Sequence, residues 1–387
     1  MTNEVKKVPQ LRFPNFGGEW EEKQLGDVTK TNQGLQIAIS DRKTKYEKGL
    51  YFYITNEFLR PNSQTKYYIE KPPESVVAEK SDILMTRTGN TGKVITNVEG
   101  AFHNNFFKIK YNKSIIDRLF LFELLKSPKI NNKFLSLAGT STIPDLNHSD
   151  FYSVYISFPT ISEQQKISTF FSKLDRQIEL EEQKLAKLEE QKKGYMQKLF
   201  SQELRFKDQD GNDYPKWEKK FIKDIFIFEN NRRKPITSSL REKGLYPYYG
   251  ATGIIDYVKD YLFNNEERLL IGEDGAKWGQ FENSSFIANG QYWVNNHAHV
   301  VKSNNHNLYF MNYYLNFKEL RTFVTGNAPA KLTHANLCNI NLEIPCLNEQ
   351  DKISALLKSI DKKMNNQINK IVLLKRRKQG LLQKMFV

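Results

Sequence analysis

The chain repeats itself, and this limits the folds open to it more than any other feature. At an offset of 186 residues, Pro159 recurs as Pro345, Glu163-Gln164 as Glu349-Gln350 and Lys166-Ile167-Ser168 as Lys352-Ile353-Ser354. Asp175 recurs as Asp361, and Gly194, Gln197-Lys198 and Phe200 recur as Gly380, Gln383-Lys384 and Phe386. The same offset carries His148 onto His334 and Gly89 onto Gly275. The starts of the halves match after a short insertion: Leu11-Arg12-Phe13 and Trp20-Glu21 answer Leu204-Arg205-Phe206 and Trp217-Glu218. Self-similarity of this kind means one structural unit built twice. The order is arm, variable domain, long helix, then the same again.

The helical segments carry a seam at alternating 3-4 spacing. The first reads Phe171, Leu174, Ile178, Glu181, Leu185, Leu188, Lys192, Tyr195, Leu199. The second reads Leu357, Ile360, Met364, Gln367, Ile371, Leu374, Lys378, Leu381, Met385. This is a coiled-coil pattern broken by polar residues at matching places. Ser162 is the expected N-cap of the first helix, with acid close behind. An antiparallel register pairs Ile178 with Leu381, Glu181 with Lys378, Leu185 with Leu374, Leu188 with Ile371, Lys192 with Gln367 and Leu199 with Ile360. The alternative is that each helix packs on a partner protein. A seam of about 29 residues is about 43 Å long, and one turn of B-DNA is about 34–36 Å. The repeat predicts a pseudo-two-fold, a symmetry that split DNA sites share.

The expected fold is α+β: two mixed domains, each followed by a long helix, the helices pairing as an antiparallel coiled coil. The expected boundaries are 1–158 for the arm and first domain, 159–200 for the central helix, 201–344 for the second domain and 345–387 for the last helix. Tyr51–Ile54, Phe106–Lys110 and His299–Val301 read as strands, and Ile115–Leu125 and Leu308–Phe323 as helices. Two similar scaffolds with different loops suit two different targets.

The formal charge of +14 in 387 residues fits a phosphate-rich partner, and equally a general preference for a basic, soluble surface. A share of 39% hydrophobic residues with 26 Phe and 19 Tyr is that of a folded chain. Cys338 and Cys346 make no disulfide framework. The N-terminal stretch lacks the apolar core of a leader, and no apolar run suits a membrane span; a cytoplasmic protein with reduced thiols is expected.

Two Gly-rich loops follow strand-like runs at matching places. Thr86-Arg87-Thr88-Gly89-Asn90-Thr91-Gly92-Lys93 follows Ile83–Met85, and Gly272-Glu273-Asp274-Gly275-Ala276-Lys277-Trp278-Gly279 follows Leu269–Ile271. Neither is a P-loop. Each reads as a DNA-gripping loop, through Thr86, Arg87, Thr88, Asn90, Lys93 and Lys277, or as an ordinary glycine turn. Arg232-Arg233-Lys234 reads as a phosphate contact or as a solvated charge run. His297 and His299 lack a third ligand nearby, so no metal site is expected. No catalytic constellation is expected either.

The ordered set of these motifs resembles the specificity subunit of type I restriction-modification systems. It includes Trp20-Glu21-x-Lys23-x-Leu25-Gly26-Asp27-Val28, ILMTRTGNTGK, YPYYGATGIIDYV with LLIGEDGA, IPDLNHSDFYSVYISFPTISEQQKI and its second copy, and GYMQKLF with GLLQKMF. The resemblance covers nearly the whole chain. It implies that each variable domain reads one half of a split duplex target and that the helices set the gap between the halves. It further implies docking to two modification subunits, which use S-adenosylmethionine, and to restriction subunits, which use ATP and Mg; this chain itself would hold no cofactor. The copies depart from one another at Gln165 against Asp351, and at Pro144-Asp145 against Ala330-Lys331. A stand-alone methyltransferase or nuclease would need motifs that this sequence lacks, and a scaffold that never touches DNA would not need its charge.

Overall fold

The computed structural model describes residues 7–60, 63–139, 143–326 and 330–387. It is α+β and divides into two compact units, residues 1–182 with 370–387, and residues 183–369. The residues before 7, on which part of the leader expectation rests, lie outside the described ones. Among the described residues no helix is long and apolar enough to cross a membrane.

Each unit is built on the same plan. In the first, Glu21–Gln24 pairs antiparallel with Tyr155–Phe158. A four-stranded sheet runs in the order Thr29–Gln33, Phe106–Tyr111, Ile83–Thr86, Val94–Ile95. A second sheet runs Tyr67–Glu70, Leu50–Ile54, Gly100–Phe102, Val77–Ala78, and Tyr53 lies beside Ala101 in a parallel pair. In the second unit, Glu218–Phe221 pairs with Asn341–Ile344. The four-stranded sheet is Ile227–Phe228, Ala298–Lys302, Arg268–Gly272, Ser285–Ala288, and the smaller sheet holds Tyr248 beside Trp293, again in parallel. The expected strands are present. The expected helices are shorter. Asp117 caps Arg118–Lys126 by accepting from the amides of Leu119 and Phe120, so the helix starts there and not at Ile115. The second helix stops at Phe317, and Arg321–Phe323 is a separate 3-10 turn.

The repeated Glu-Gln pair has a structural cause. Arg12 and Arg205, from the two arms, each fork onto the buried carboxylate of Glu163 and Glu349, at 2.7–2.8 Å and 2.6–3.1 Å. An acid in the first turn also suits the helix dipole. The Gln164 amide donates to the Pro159 carbonyl and accepts from the Asp117 amide; Gln350 does the same with Pro345 and Asn307. These straps sit at the starts of the long helices, Ile161 and Leu347, each two residues inside the expected boundary. Ser162 therefore lies inside the first turn and is not the cap.

The first long helix spans Ile161–Phe200 and the second Leu347–Met385. Within the first unit their parts run antiparallel: Lys378 pairs with Asp175, Lys375 with Glu182 and Lys370 with Glu181. Leu174, Ile178 and Leu374 pack together with Leu381. Within the second unit Lys192 pairs with Asp361 at 2.6 Å, and Leu199 shares a core with Leu357 and Ile360. Ile371 and Gln367 are buried, whereas Leu185 and Leu188 are half-buried.

The antiparallel direction is as expected, but the polar register is not. Lys378 meets Asp175, six positions from the expected Glu181, and Lys192 meets Asp361, six positions from the expected Gln367. That is close to one heptad. Apolar seams one heptad apart are nearly equivalent, so residues beside the seam decide between them.

Each unit closes its core around the end of a long helix. Phe386 meets Trp20 and Phe120 in one, and Phe200 stacks on Tyr314 at 4.8 Å in the other. Burying one such ring contributes about 1.5–3 kcal/mol.

Candidate nucleic-acid interface

In the first unit the loop after Ile83–Thr86 is stitched from within. The Thr86 hydroxyl donates to the Asn90 carbonyl and accepts from the Lys93 amide at 2.9 Å. Asn56 donates to the Thr88 carbonyl at 3.0 Å, Asn131 to that of Gly92 at 2.8 Å, and Thr91 to that of Pro144 at 2.8 Å. Gly89 has φ +89°, and a Cβ there would stand 2.3 Å from the Asn56 amide nitrogen, so the turn requires glycine. Thr86 is therefore buried frame. Asn90 and Lys93 are exposed, on the wall of an open cleft of about 810 Å³ shared with Arg60 and Asn131. The Lys93 ammonium donates to the Leu59 carbonyl at 3.0 Å, which holds its charge at the cleft edge.

In the second unit the loop is built differently on the same strand. Trp278, buried, donates to the Gly272 carbonyl, and the Gly279 amide donates to Glu282 at 2.7 Å. Lys277 is thrown outward and exposed. Among the described residues no carboxylate pairs with it.

Both loops are latched to the segment before a short helix, with the charges reversed. Arg87 donates to Asp145 at 2.7 Å, lies over the Phe107 ring, and Thr88 bridges to Asp145 in β fashion. At the matching places Glu273 lies 3.9 Å from Lys331, and Asp274, which bridges to Lys331, lies 3.3 Å from its ammonium. The exchange of Asp145 for Lys331 is thus answered by that of Arg87 for Glu273. The other departure is answered too. Asp351 accepts at 2.7 Å from the side chain of Asn307, the helix cap that stands where the first copy has Asp117.

Of the basic cluster only Lys234 offers a charge. Arg232 forks onto Glu266 at 2.7–2.8 Å and covers the Phe263 ring. Arg233 pairs with Glu273 at 2.6 Å and donates to the Ala298 carbonyl. Both guanidinium groups, expected on phosphate, are paired with carboxylates of their own unit. Lys234 is exposed. His297 lies against Asp274 at 2.5 Å, while His299 is buried and bonded to the Leu332 carbonyl at 2.8 Å. Burial pushes the His299 imidazole below its usual range, against the opposing pull of Leu332 and Glu273. Among the described residues no group of His, Cys, Asp and Glu is placed to hold a metal ion.

Loops at matching places on two copies of one sheet, each latched to the segment before a short helix, present different outward side chains; the class defined is a duplicated binding module. The type I restriction modification DNA specificity domain matches twice, over residues 17–190 and 214–373, and the chain belongs to that family. Relatives include the MjaVIII specificity subunit of a type I restriction enzyme from Methanocaldococcus jannaschii, 26% identical over 59% of this chain and 53% of the relative. The MjaIX specificity subunit of the same organism is 25% identical over 79% of this chain and 77% of the relative. A Haemophilus influenzae chain classed with such subunits is 42% identical, over 37% of each chain. The chain thus spans about a third to a half of the length of the first relatives it matches. The crystal structure of a type I restriction-modification S subunit from M. genitalium has the same fold, with TM-score 0.62 and 17% identity over 98% of this chain and 99% of that one.

Proposed function

We propose that the chain is the DNA-specificity subunit of a type I restriction-modification complex and is non-catalytic alone. Each domain reads one half of a split duplex target. Two modification subunits, which use S-adenosylmethionine, and restriction subunits, which use ATP and Mg, dock on it in the cytoplasm. The observation that carries this is the pair of loops at matching places with unlike outward groups: Asn90 and Lys93 in one unit, Lys277, with Lys234, in the other. Asn suits adenine, and Lys suits guanine or phosphate. Thr88 and Arg87 set the first loop's position. The net positive charge supports a phosphate-rich partner.

The test is reconstitution. The purified chain with labelled S-adenosylmethionine should transfer no methyl group. Adding the modification subunit of the same system should methylate adenines within one two-part motif, and K277A should relax the choice in one half only. Methyl transfer by the chain alone, or a one-part motif, would overturn the proposal.

A further inference from the structure

Both units contain a second repeated device, out of step with the 186-residue offset. Ile37 and Arg42 in the first correspond to Ile236 and Arg241 in the second, each pair five residues apart. Between them lies a 3-10 turn, Ile39–Asp41 or Ser238–Leu240. Each turn is braced on a tyrosine that is 1% exposed, Tyr53 or Tyr248. The tyrosine hydroxyl accepts from the Ile37 amide at 3.2 Å, or from the Ile236 amide at 2.9 Å. The arginine lies over the same ring and donates through Nε to the isoleucine carbonyl, at 3.0 Å in both units.

The braced turns are tied to the loops described above. In the first unit the Leu35 amide donates to the Phe102 carbonyl, and three residues on, the Asn105 carbonyl accepts from the Arg87 amide at 2.7 Å. In the second the Lys234 amide donates to the Val294 carbonyl, and three residues on, the His297 carbonyl accepts from the Glu273 amide at 2.9 Å. Turn and loop therefore flank one strap of backbone in each unit.

Each turn presents an exposed aliphatic side chain with lysines nearby, and in the first unit Asp41 shares the turn. Ile39 is 73% exposed and Leu240 is 74% exposed. Lys43, Lys45 and Lys48 follow one tip and Lys234 flanks the other, all exposed and, among the described residues, without a carboxylate partner, while Lys243, also exposed, lies within electrostatic reach of Asp256. One exposed aliphatic side chain needs no explanation. The same buried brace holding one out in both domains, whose exposed loop residues otherwise differ, does need one.

We propose that these turns are a second DNA-contacting element of each domain. Ile39 and Leu240 pack against base atoms in a groove, as apolar side chains do on thymine methyl groups or at opened steps, while the neighbouring lysines hold phosphates. Arg42, Arg241, Tyr53 and Tyr248 are positioning residues. The inference rests on the DNA-reading role proposed above.

The test uses the full chain with a photo-crosslinking amino acid at position 39, 90, 240 or 277, and a labelled pool of random-sequence duplexes. Crosslinks at 39 and 240 are expected. I39S and L240S should each lower affinity for the selected duplexes about tenfold with an unchanged melting temperature. Crosslinks at 90 and 277 but none at 39 and 240, or full affinity in both serine variants, overturn this inference and leave the DNA-reading role standing. Failure of the unmodified chain to retain any duplex overturns that role as well.

Discussion

The Lys378 ammonium lies 2.7 Å from both carboxylate oxygens of Asp175 and 3.1 Å from Glu123. Burial alone would lower its pKa, but Glu123 and Asp175 together hold it above the usual lysine range. Its counterpart in the other unit is Lys192 with Asp361, the two helices having exchanged roles. The Lys378 side chain is 8% exposed and that of Lys192 is 23% exposed, so the two pairs are unequal. K378M leaves Glu123 buried with only Lys126 beside it and should cost about 3 kcal/mol. K192M should cost about 1 kcal/mol. Denaturant midpoints of the full chain check this, and an equal or reversed order would refute it.

The matched tryptophans should respond differently to mutation. Trp217 donates to the buried Glu349 carboxylate at 3.2 Å. The Trp20 indole nitrogen is buried with no acceptor among the described residues. W217F removes a bond to a charged group and should cost about 1.5–3 kcal/mol. W20F trims the same ring volume but gives up only an unmet donor, and should be the less costly of the two substitutions. Thermal unfolding of the two variants decides.

The reversed latch makes a charge-swap prediction. R87E sets two carboxylates together at the Asp145 site and should raise amide exchange across 86–93. R87E with D145K recreates the arrangement of Glu273 with Lys331 and should restore protection. Asp145 is half exposed, so the coupling energy in a double-mutant cycle should be about 1 kcal/mol. No recovery in the double variant would show that the latch is not ionic.

Acid should loosen the second unit through Glu266. Arg232 holds the Glu266 carboxyl at about 2, against burial and with help from Arg268. A folded pKa below the unfolded value of about 4.3 contributes stability that is present above that value and is lost as pH falls towards 2. E266Q should therefore be less stable than the parent at pH 7, with the gap narrowing between about pH 4.5 and 2. Trp217, Trp278 and Trp293, all within the second unit, report it by fluorescence. A gap that does not change with pH would contradict this origin.

Much of this protein was legible in the chain. Residues repeated at one offset report a repeated unit, because matching positions do matching work: Glu163 and Glu349 take the arm arginines, and Gln164 and Gln350 tie each long helix start to the cap of an earlier helix. Alternating 3-4 apolar spacing reports a helix pair and its broad face. The two departures also stood in the sequence, but their partners did not, since Asp145 and Arg87 are far apart along the chain.

Tertiary structure decided what depends on meetings across distance. An apolar seam repeats every heptad, so periodicity alone leaves the register open; Asp175 and Asp361, beside the seam, settled it by pairing with Lys378 and Lys192. Composition marked Arg232 and Arg233 as available cations, yet each found a carboxylate from a distant strand or loop. The braced turns are hidden at the common offset because an insertion moves them away from it, and only the sheet places Tyr53 and Tyr248 beneath them. Sequence alone thus determined that one unit is made twice and which local elements it contains. Folding decided which charges remain exposed, because ion pairs form between residues that are neighbours only in space.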